Sequence, residues 1–500
     1  MTAQPQRPGV VGQVLARAAD PAYGRWAEQV ERTGFCARPV RLAGRVETLD
    51  PATGELHGSF STNGEPDGTL LKACGQRRES VCPSCSATYR ADAWQLIAAG
   101  LRGGKGLPES VAAHPRLFVT LTAPSFGPVH SRRERDGRGS TCAPRRGRCP
   151  HGDPAGCFLR HRDGDPALGT AICDGCFDYM GAVLWNAHAP ALWVRTNVYV
   201  ARTLARLAGL ARGEYARTVR VAYVKVAEFQ ARGLVHFHVV ARLDGYGGDG
   251  APTPPPAPFT ATLLARAVHE AAATVVVPYP TGEGGARWGA QVDIRPIRSH
   301  DAAEDGTTLS AEAVAAYIAK YATKSSAALG MLDRRLAAED LDRLRVNDHI
   351  RAMVETCWTL GGQEEWAHLH LRRWAHMLGF AGHWGTKSRA YSTTFAALRA
   401  ARATWAATTR DHAADAGIYP VENLRPVGIG YRTTGDAWLA ETARRDHLEN
   451  RAHARADAAK TDGGKPRRTP AATGNAADNS PPARGAKSQR NARRRRKKRK

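Results

Sequence analysis

A chain of 500 residues, 42% of them hydrophobic, is long enough for two or three domains with buried cores, which excludes a protein disordered throughout. Its 71 Lys and Arg against 47 Asp and Glu give a formal net charge of +24, which favours a polyanionic partner because each neutralised phosphate releases counterions; nucleic acid leads and an anionic membrane surface competes. No stretch reaches the roughly 18 uninterrupted apolar residues of a spanning helix, and the N-terminus lacks a charged-then-apolar signal pattern, so no membrane partner and a cytoplasmic location are expected. High Ala, Arg and Gly usage suggests a GC-rich bacterial genome, and in such a cytoplasm the cysteines stay reduced.

Residues 1 to about 90 carry Cys36, Cys74, Cys82 and Cys85 among Gly- and Pro-rich turns and read as a small metal-stapled region. Leu117 to Thr122, bounded by Pro115 and Pro124, has the β-branched and aromatic enrichment of a buried strand. Residues 125 to 176 lack periodicity and read as an insertion ordered by its cysteines. From Val183 to Leu210, Leu184, Leu192, Val198, Leu204 and Leu207 recur at helical spacing, and Pro190 predicts a break into one bent helix or two short ones.

Val219 to Glu228 and Leu234 to Leu243 are β-rich runs joined by Gln230-Ala231-Arg232-Gly233, a predicted hairpin. Phe259 to Val276 suits a helix, Gln291 to Ile297 a strand, and Ser310 to Ser325 a helix with Ser310 as its cap. Leu332 to Thr409 is mostly helical in pattern, with Trp358, Trp366, Trp374, Trp384 and Trp405 as bulk for a second core. Beyond about Ala454 the composition turns to Ala, Asn, Pro, Lys and Arg, which predicts disorder. The tail ends in an uninterrupted basic octet, Arg493 to Lys500, either a nonspecific DNA-backbone contact or a solvated run of charge.

Side chains alternate along a strand, so His236-Phe237-His238 presents two imidazoles on one face. Glu228 lies in the preceding strand, where pairing across the hairpin can bring it to that face as a third ligand. Two His and a carboxylate suit a divalent ion with positions left open for phosphate oxygens. Tyr317 and Tyr321 stand at i and i+4 of the predicted helix, with Lys320 and Lys324 beside them. A phenol with a pKa near 10 is a poor nucleophile, but neighbouring cations stabilise the phenolate and the charge developing on a phosphate.

Cys82-Pro83-Ser84-Cys85 with Cys74 and Cys36 offers four thiolates to one structural zinc. Cys173-Asp174-Gly175-Cys176 with Cys149 and Cys157 offers a second set, in which Cys142 and His151 are substitutes. Cys357 reads as a spare core thiol. Neither pair opens a helix in a thioredoxin-like βαβ unit, which weighs against redox chemistry.

His236-Phe237-His238 resembles the His-hydrophobe-His metal motif of HUH endonucleases, and Tyr317 with Tyr321 is similar to their two-tyrosine signature. Phe118-Val119-Thr120-Leu121-Thr122 resembles that superfamily's first motif. From about Cys36 to Thr394, including Ala375-His376-Met377-Leu378-Gly379-Phe380, the sequence looks like actinobacterial plasmid replication initiators of the RepSA type, and its tyrosine helix is similar to that of bacteriophage gene A initiators.

The resemblance implies an α+β fold, an antiparallel sheet flanked by helices with the tyrosine helix over the metal. Around it stand cysteine zinc-binding insertions, a helical C-terminal region and the basic tail. The implied domains are a zinc-binding region at 1–90, a nickase domain at 91–330 with its insertion at about 140–180, a helical region at 331–454 and a tail at 455–500. The implied chemistry is nicking of one strand at a plasmid origin for rolling-circle replication, with Mg²⁺ or Mn²⁺ on His236, His238 and Glu228. Tyr317 is then the first nucleophile with Tyr321 as its partner, and Lys320 and Lys324 stabilise phosphate or tyrosinate. Single- and double-stranded origin DNA, a host helicase and a polymerase are the implied partners, in a nucleoid- or plasmid-associated setting. A transposase or conjugative relaxase would use the same motifs, and a non-enzymatic zinc-containing DNA-binding regulator would explain the cysteines and charge alone.

Overall fold

The longest β-rich stretches of the chain build its central sheet, seen here in a computed structural model that describes residues 9–50, 53–135, 138–247, 250–298, 309–323, 329–331, 334–408 and 419–461. Two compact units emerge. The larger is drawn from Met1–Phe126, Asp178–Phe229 and Gly233–Pro466. The described residues of the smaller are 127–135, 138–177 and 230–232.

In the larger unit, helices α1 (Val10–Ala18) and α2 (Tyr23–Arg32) precede strands β1 (Val40–Leu49), β2 (Leu56–Ser61) and β3 (Leu70–Lys72). Helix α3 (Pro83–Arg102), strand β4 (Arg116–Leu121) and helix α4 (Tyr179–Leu207) follow, then strands β5 (Val219–Phe229) and β6 (Val235–Tyr246). After them come α5 (Ala261–Thr274), β7 (Val292–Pro296), α6 (Ala311–Tyr321), α7 (Asp348–Leu360), β8 (Gly385–Lys387), α8 (Phe395–Thr408), β9 (Tyr419–Ile429) and α9 (Thr434–Thr461).

The central sheet runs β7-β4-β6-β5-β8 with every pair antiparallel. On one face Phe118, Ala222, Val224, Val226 and Val240 pack with Leu96, Ile97 and Leu101 of α3 and Val314, Ala315 and Ile318 of α6. On the other, Trp193 of α4 meets Tyr223 and Phe237 edge-on at 5.1 and 6.2 Å between ring centres. The sheet is thus sandwiched between two helical layers, and β6 is buried along all but its last residue.

Lys225 points into that second face, its Nζ 4.0 Å from the Phe237 ring centre and 3.5 Å from the His383 carbonyl oxygen. Burial pushes its ammonium down to about 8. At the far end of β6, Arg242 donates to Asp244 at 2.6 and 2.8 Å, and His114 Nδ1 lies 2.9 Å from Asp244. All three side chains are fully buried.

β1 pairs along its length with β9, and with β2 and β3 on its other edge. Gly44 of β1 has φ +141°, and a Cβ there would sit 2.0 Å from the Asn423 carbonyl oxygen, so only glycine permits the strands to meet. Trp26 and Val30 of α2 pack with Ala440 of α9, and Arg17 of α1 bridges Asp67 and Asp436 at 2.7 Å each.

This pairing corrects the expected boundaries at 90 and 331. Residues 40–72 share a sheet with residues 419–429, and β9 is a strand inside the region expected to be helical. The break expected at Pro190 is absent, and α4 runs through it unbroken. Buried Leu184, Trp185, Leu192, Trp193, Val200 and Leu204 on one helix outweigh the roughly 3 kcal/mol that an interior proline costs. The tryptophans do not gather into a second core: Trp405 is 69% exposed, whereas Trp384 packs on Phe229 of the central sheet. The tail beyond Thr461 and its basic octet lie outside the described residues.

The described residues of the smaller unit contain the short pair Arg133–Arg135 and Arg138–Ser140, a 3-10 turn at Asp174–Cys176 and isolated backbone bridges such as Ala143–Cys157. Two of its large apolar residues, Phe158 and Leu159, are exposed, whereas Phe177 is buried.

Candidate active site and metal centres

The hairpin register places Glu228 directly opposite His236, with His238 opposite Val226. The period-two alternation then aims Glu228, His236 and His238 to one side. Glu228 Oε2 lies 3.1 Å from His236 Nε2 and 3.3 Å from His238 Nε2, and the three donor atoms lie within 4.8 Å of one another. The imidazoles are buried and the carboxylate is 12% exposed. A carboxylate oxygen and two imidazole nitrogens converging this way fit a divalent cation of the Mn²⁺ or Mg²⁺ class.

Thr120 of β4 faces His238 across the strand pair, its Oγ1 3.2 Å from Nδ1. The sequence reading missed this residue; its only signal was its place opposite His238 in the strand. With a cation held at Nε2, Nδ1 would carry the proton and donate it to Thr120 Oγ1, which would fix the ring orientation. Phe118, two residues earlier on the same face, stacks on His238 with ring centres 5.7 Å apart.

Helix α6 begins where Ser310 accepts from the Ala313 amide at 3.1 Å, and it lies over this face of the sheet. It brings the Tyr317 hydroxyl to 3.5 Å from His238 Nε2. Tyr321 is buried with its ring centre 5.3 Å from that of His238 and 4.5 Å from that of Tyr317. Tyr317 is therefore the more accessible phenol, and its oxygen reaches the cluster. Lys320 is exposed with Nζ 5.8 Å from the Tyr321 ring centre. The helix ends at Tyr321, and Lys324 lies outside the described residues.

Cys36, Cys74, Cys82 and Cys85 come together in the larger unit with sulfur separations of 3.8 Å (Cys36–Cys82), 3.7 Å (Cys74–Cys85) and 3.7 Å (Cys36–Cys85). A regular tetrahedron with Zn–S arms of about 2.3 Å has edges of about 3.8 Å, whereas a disulfide would hold two sulfurs at about 2.05 Å. Cys82 is the N-cap of α3 with Pro83 after it, but the strands on either side of α3 lie in different sheets, so the pair opens no thioredoxin-like βαβ unit. The other two sulfurs make the group a closed four-thiolate cluster rather than a two-cysteine redox pair.

In the smaller unit, Cys149, Cys173 and Cys176 meet His151, with Cys149–Cys173 at 3.5 Å and His151 Nδ1 at 3.3 Å from Cys176. Cys157, expected as the fourth member of this set, is not there, and His151 stands in its place. The chain turns back on itself through a hydrogen-bond pair between Ala143 and Cys157, which carries Cys157 to Cys142 and His161 instead. Cys357 is buried in α7, and burial pushes its thiol up.

No helix among the described residues is long and apolar enough to cross a membrane. No solved structure matches the chain. A replication initiator protein of Streptomyces ambofaciens is 44% identical over 464 residues, covering 90% of this chain and 95% of its own. The family model described as "Replication initiator protein, pSAM2" matches residues 22–445. With nearly the whole folded part of the chain inside that match, the protein belongs to the RepSA family of replication initiator proteins.

Proposed function

We propose that this initiator binds plasmid origin DNA and nicks one strand by tyrosine attack, in the manner of an HUH endonuclease, to start rolling-circle replication. The observation that carries the reading is the Tyr317 hydroxyl 3.5 Å from His238 Nε2, beside a Glu228–His236–His238 cluster. Aromatic packing alone does not require a helix-borne phenol to point at three converging metal donors.

In this reading the Tyr317 oxygen attacks the scissile phosphorus and loses its proton to solvent. The bond from phosphorus to the 3′ oxygen breaks, that oxygen takes up a proton, and the 5′ phosphate remains on tyrosine while the free 3′ hydroxyl primes synthesis. A divalent ion held by Glu228, His236 and His238 would supply Lewis-acid polarisation of the phosphate. Tyr321, one helical turn on, serves the second cut or the rejoining step. Lys320 is exposed beside it and offers a cation to phosphate, a role shared with Lys324.

The four-thiolate cluster and the Cys149–His151–Cys173–Cys176 cluster are assigned structural zinc, having no open position for chemistry. A cytoplasmic location and a host helicase and polymerase as partners follow from this function.

The decisive experiment is covalent capture of labelled single-stranded origin DNA, with Mg²⁺ or Mn²⁺ and with chelator. An adduct that needs metal, is lost in Tyr317→Phe and is reduced to a single strand-transfer event in Tyr321→Phe is expected. An adduct that persists in the double variant would remove both tyrosines from the mechanism. Circular single strands from an origin plasmid would separate replication from transposition or transfer.

A further inference from the structure

The smaller unit holds a second donor group, which no Cys-x-x-C spacing advertises. His130, Cys142, Cys157 and His161 present one ligand atom each, all within 4.8 Å of one another. His130 Nδ1 and His161 Nε2 are 3.2 Å apart, and Cys157 Sγ is 3.5 Å from His161 Nε2. Around one tetrahedral zinc with N arms of about 2.05 Å and S arms of about 2.3 Å, the N–N edge is about 3.3 Å and the N–S edge about 3.6 Å. Both observed separations fall on those edges.

Three further features belong to a built site. Cys142, Cys157 and His161 are buried at 0%, 7% and 8% exposure. His161 Nδ1 lies 2.6 Å from Asp165 Oδ2, the carboxylate contact that fixes a ligating imidazole with its other nitrogen toward the ion. The Ser131 amide donates to Cys142 Sγ at 3.1 Å. Backbone pairing of Ala143 with Cys157, and of Cys142 with Leu159, sets the two cysteines side by side although they are distant in sequence.

We propose that these four residues form a Cys₂His₂ structural zinc site, separate from the Cys149–His151–Cys173–Cys176 cluster, so that the smaller unit is ordered around two ions. The unit's composition favours this, since Phe158 and Leu159 face outward and an ion supplies a cross-link that these side chains do not. The competing account is a pair of buried thiols beside a His130–His161–Asp165 hydrogen-bonded relay that holds no metal.

The test counts zinc in the full chain by mass spectrometry of the metal, using a His236→Ala, His238→Ala parent so that an ion at the central sheet adds nothing. The Cys142→Ser, Cys157→Ser derivative is expected to lose one zinc per chain and keep the rest, and an unchanged count overturns the site. Should that derivative fail to fold, the parent decides the matter through alkylation of Cys142 and Cys157, followed peptide by peptide. Labelling that speeds up severalfold once chelator removes zinc supports the site, and equal rates with and without chelator refute it. Neither readout depends on nicking, so failure here leaves the tyrosine mechanism standing and the reverse also holds.

Discussion

Thr120→Val isolates the part played by the hydroxyl that orients His238. Valine keeps the shape and β-branching that the strand requires, but it removes the acceptor 3.2 Å from Nδ1. His238 is 2% exposed, so no water replaces the lost partner cheaply. An imidazole N–H left unsatisfied in a buried place costs about 1–3 kcal/mol, and because 3.2 Å is at the long end for such a bond the lower part of that range applies. The ring escapes the cost by moving its proton to Nε2 or by turning, and either change withdraws the nitrogen facing Glu228. About 1.4 kcal/mol corresponds to a tenfold weaker hold on the ion, in line with the 10–100-fold typical of outer-shell partners. The assay is nicking of a labelled single-stranded origin oligonucleotide across a Mn²⁺ titration. The midpoint should move up about tenfold while the rate at saturating metal recovers most of the parent value and DNA binding in chelator is unchanged. An unmoved midpoint would mean that Thr120 does not orient a metal ligand, and the reasoning about His238 would fail with it.

Lys225→Met should stabilise the protein by on the order of 1–3 kcal/mol at neutral pH, because methionine fills the same space without a charge that burial disfavours. The lysine's value, depressed from 10.5 to about 8, means that the unfolded chain binds more protons between those limits. Wild-type stability therefore rises through that window and the advantage of the variant, read from denaturant melts, shrinks from pH 8 to 10.5. For Asp244 the desolvation of burial is outweighed by hydrogen bonds from His114 and Arg242, which hold its carboxyl below the usual range. The stability it contributes is complete above the ordinary Asp value and is lost as pH falls through the lower folded-state value. Asp244→Asn should cost about 3–5 kcal/mol by leaving Arg242 buried without its counter-ion, and thermal melts between pH 3 and pH 7 would expose a flat profile as the contrary result. Cys85→Ser should release one zinc per chain and slow nicking, since α3 packs on the tyrosine helix; an intact metal count would contradict the four-thiolate assignment.

What the sequence made legible was local. Strand alternation put His236 and His238 on one side, the short turn at Gln230–Gly233 set the hairpin, and Ser310 marked the start of the tyrosine helix. What stayed hidden depended on neighbours remote in the chain. Nothing in Phe118-Val119-Thr120 distinguishes the hydroxyl that meets His238, because that partner is supplied by the pairing of β4 with β6. Cysteine spacing pointed to donor clusters in the insertion but not to which donors converge, and His130 and His161 carry no spacing signal at all. Pro190 was read by its local cost, whereas the buried length of α4 decided the outcome.

The seam between β1 and β9 joins the beginning of the folded chain to its end. On the ribosome, Val40–Leu49 emerges with β2 and β3 soon behind it, yet the partner for its other edge, Tyr419–Ile429, is translated far later. At roughly 5–20 residues per second the wait is on the order of tens of seconds. Throughout that interval one edge of a ten-residue strand stands open to other nascent chains, so closing the seam is a late event that waits for Tyr419–Ile429. A product truncated before Tyr419 would keep that edge open, an exposed strand of the kind that seeds aggregation.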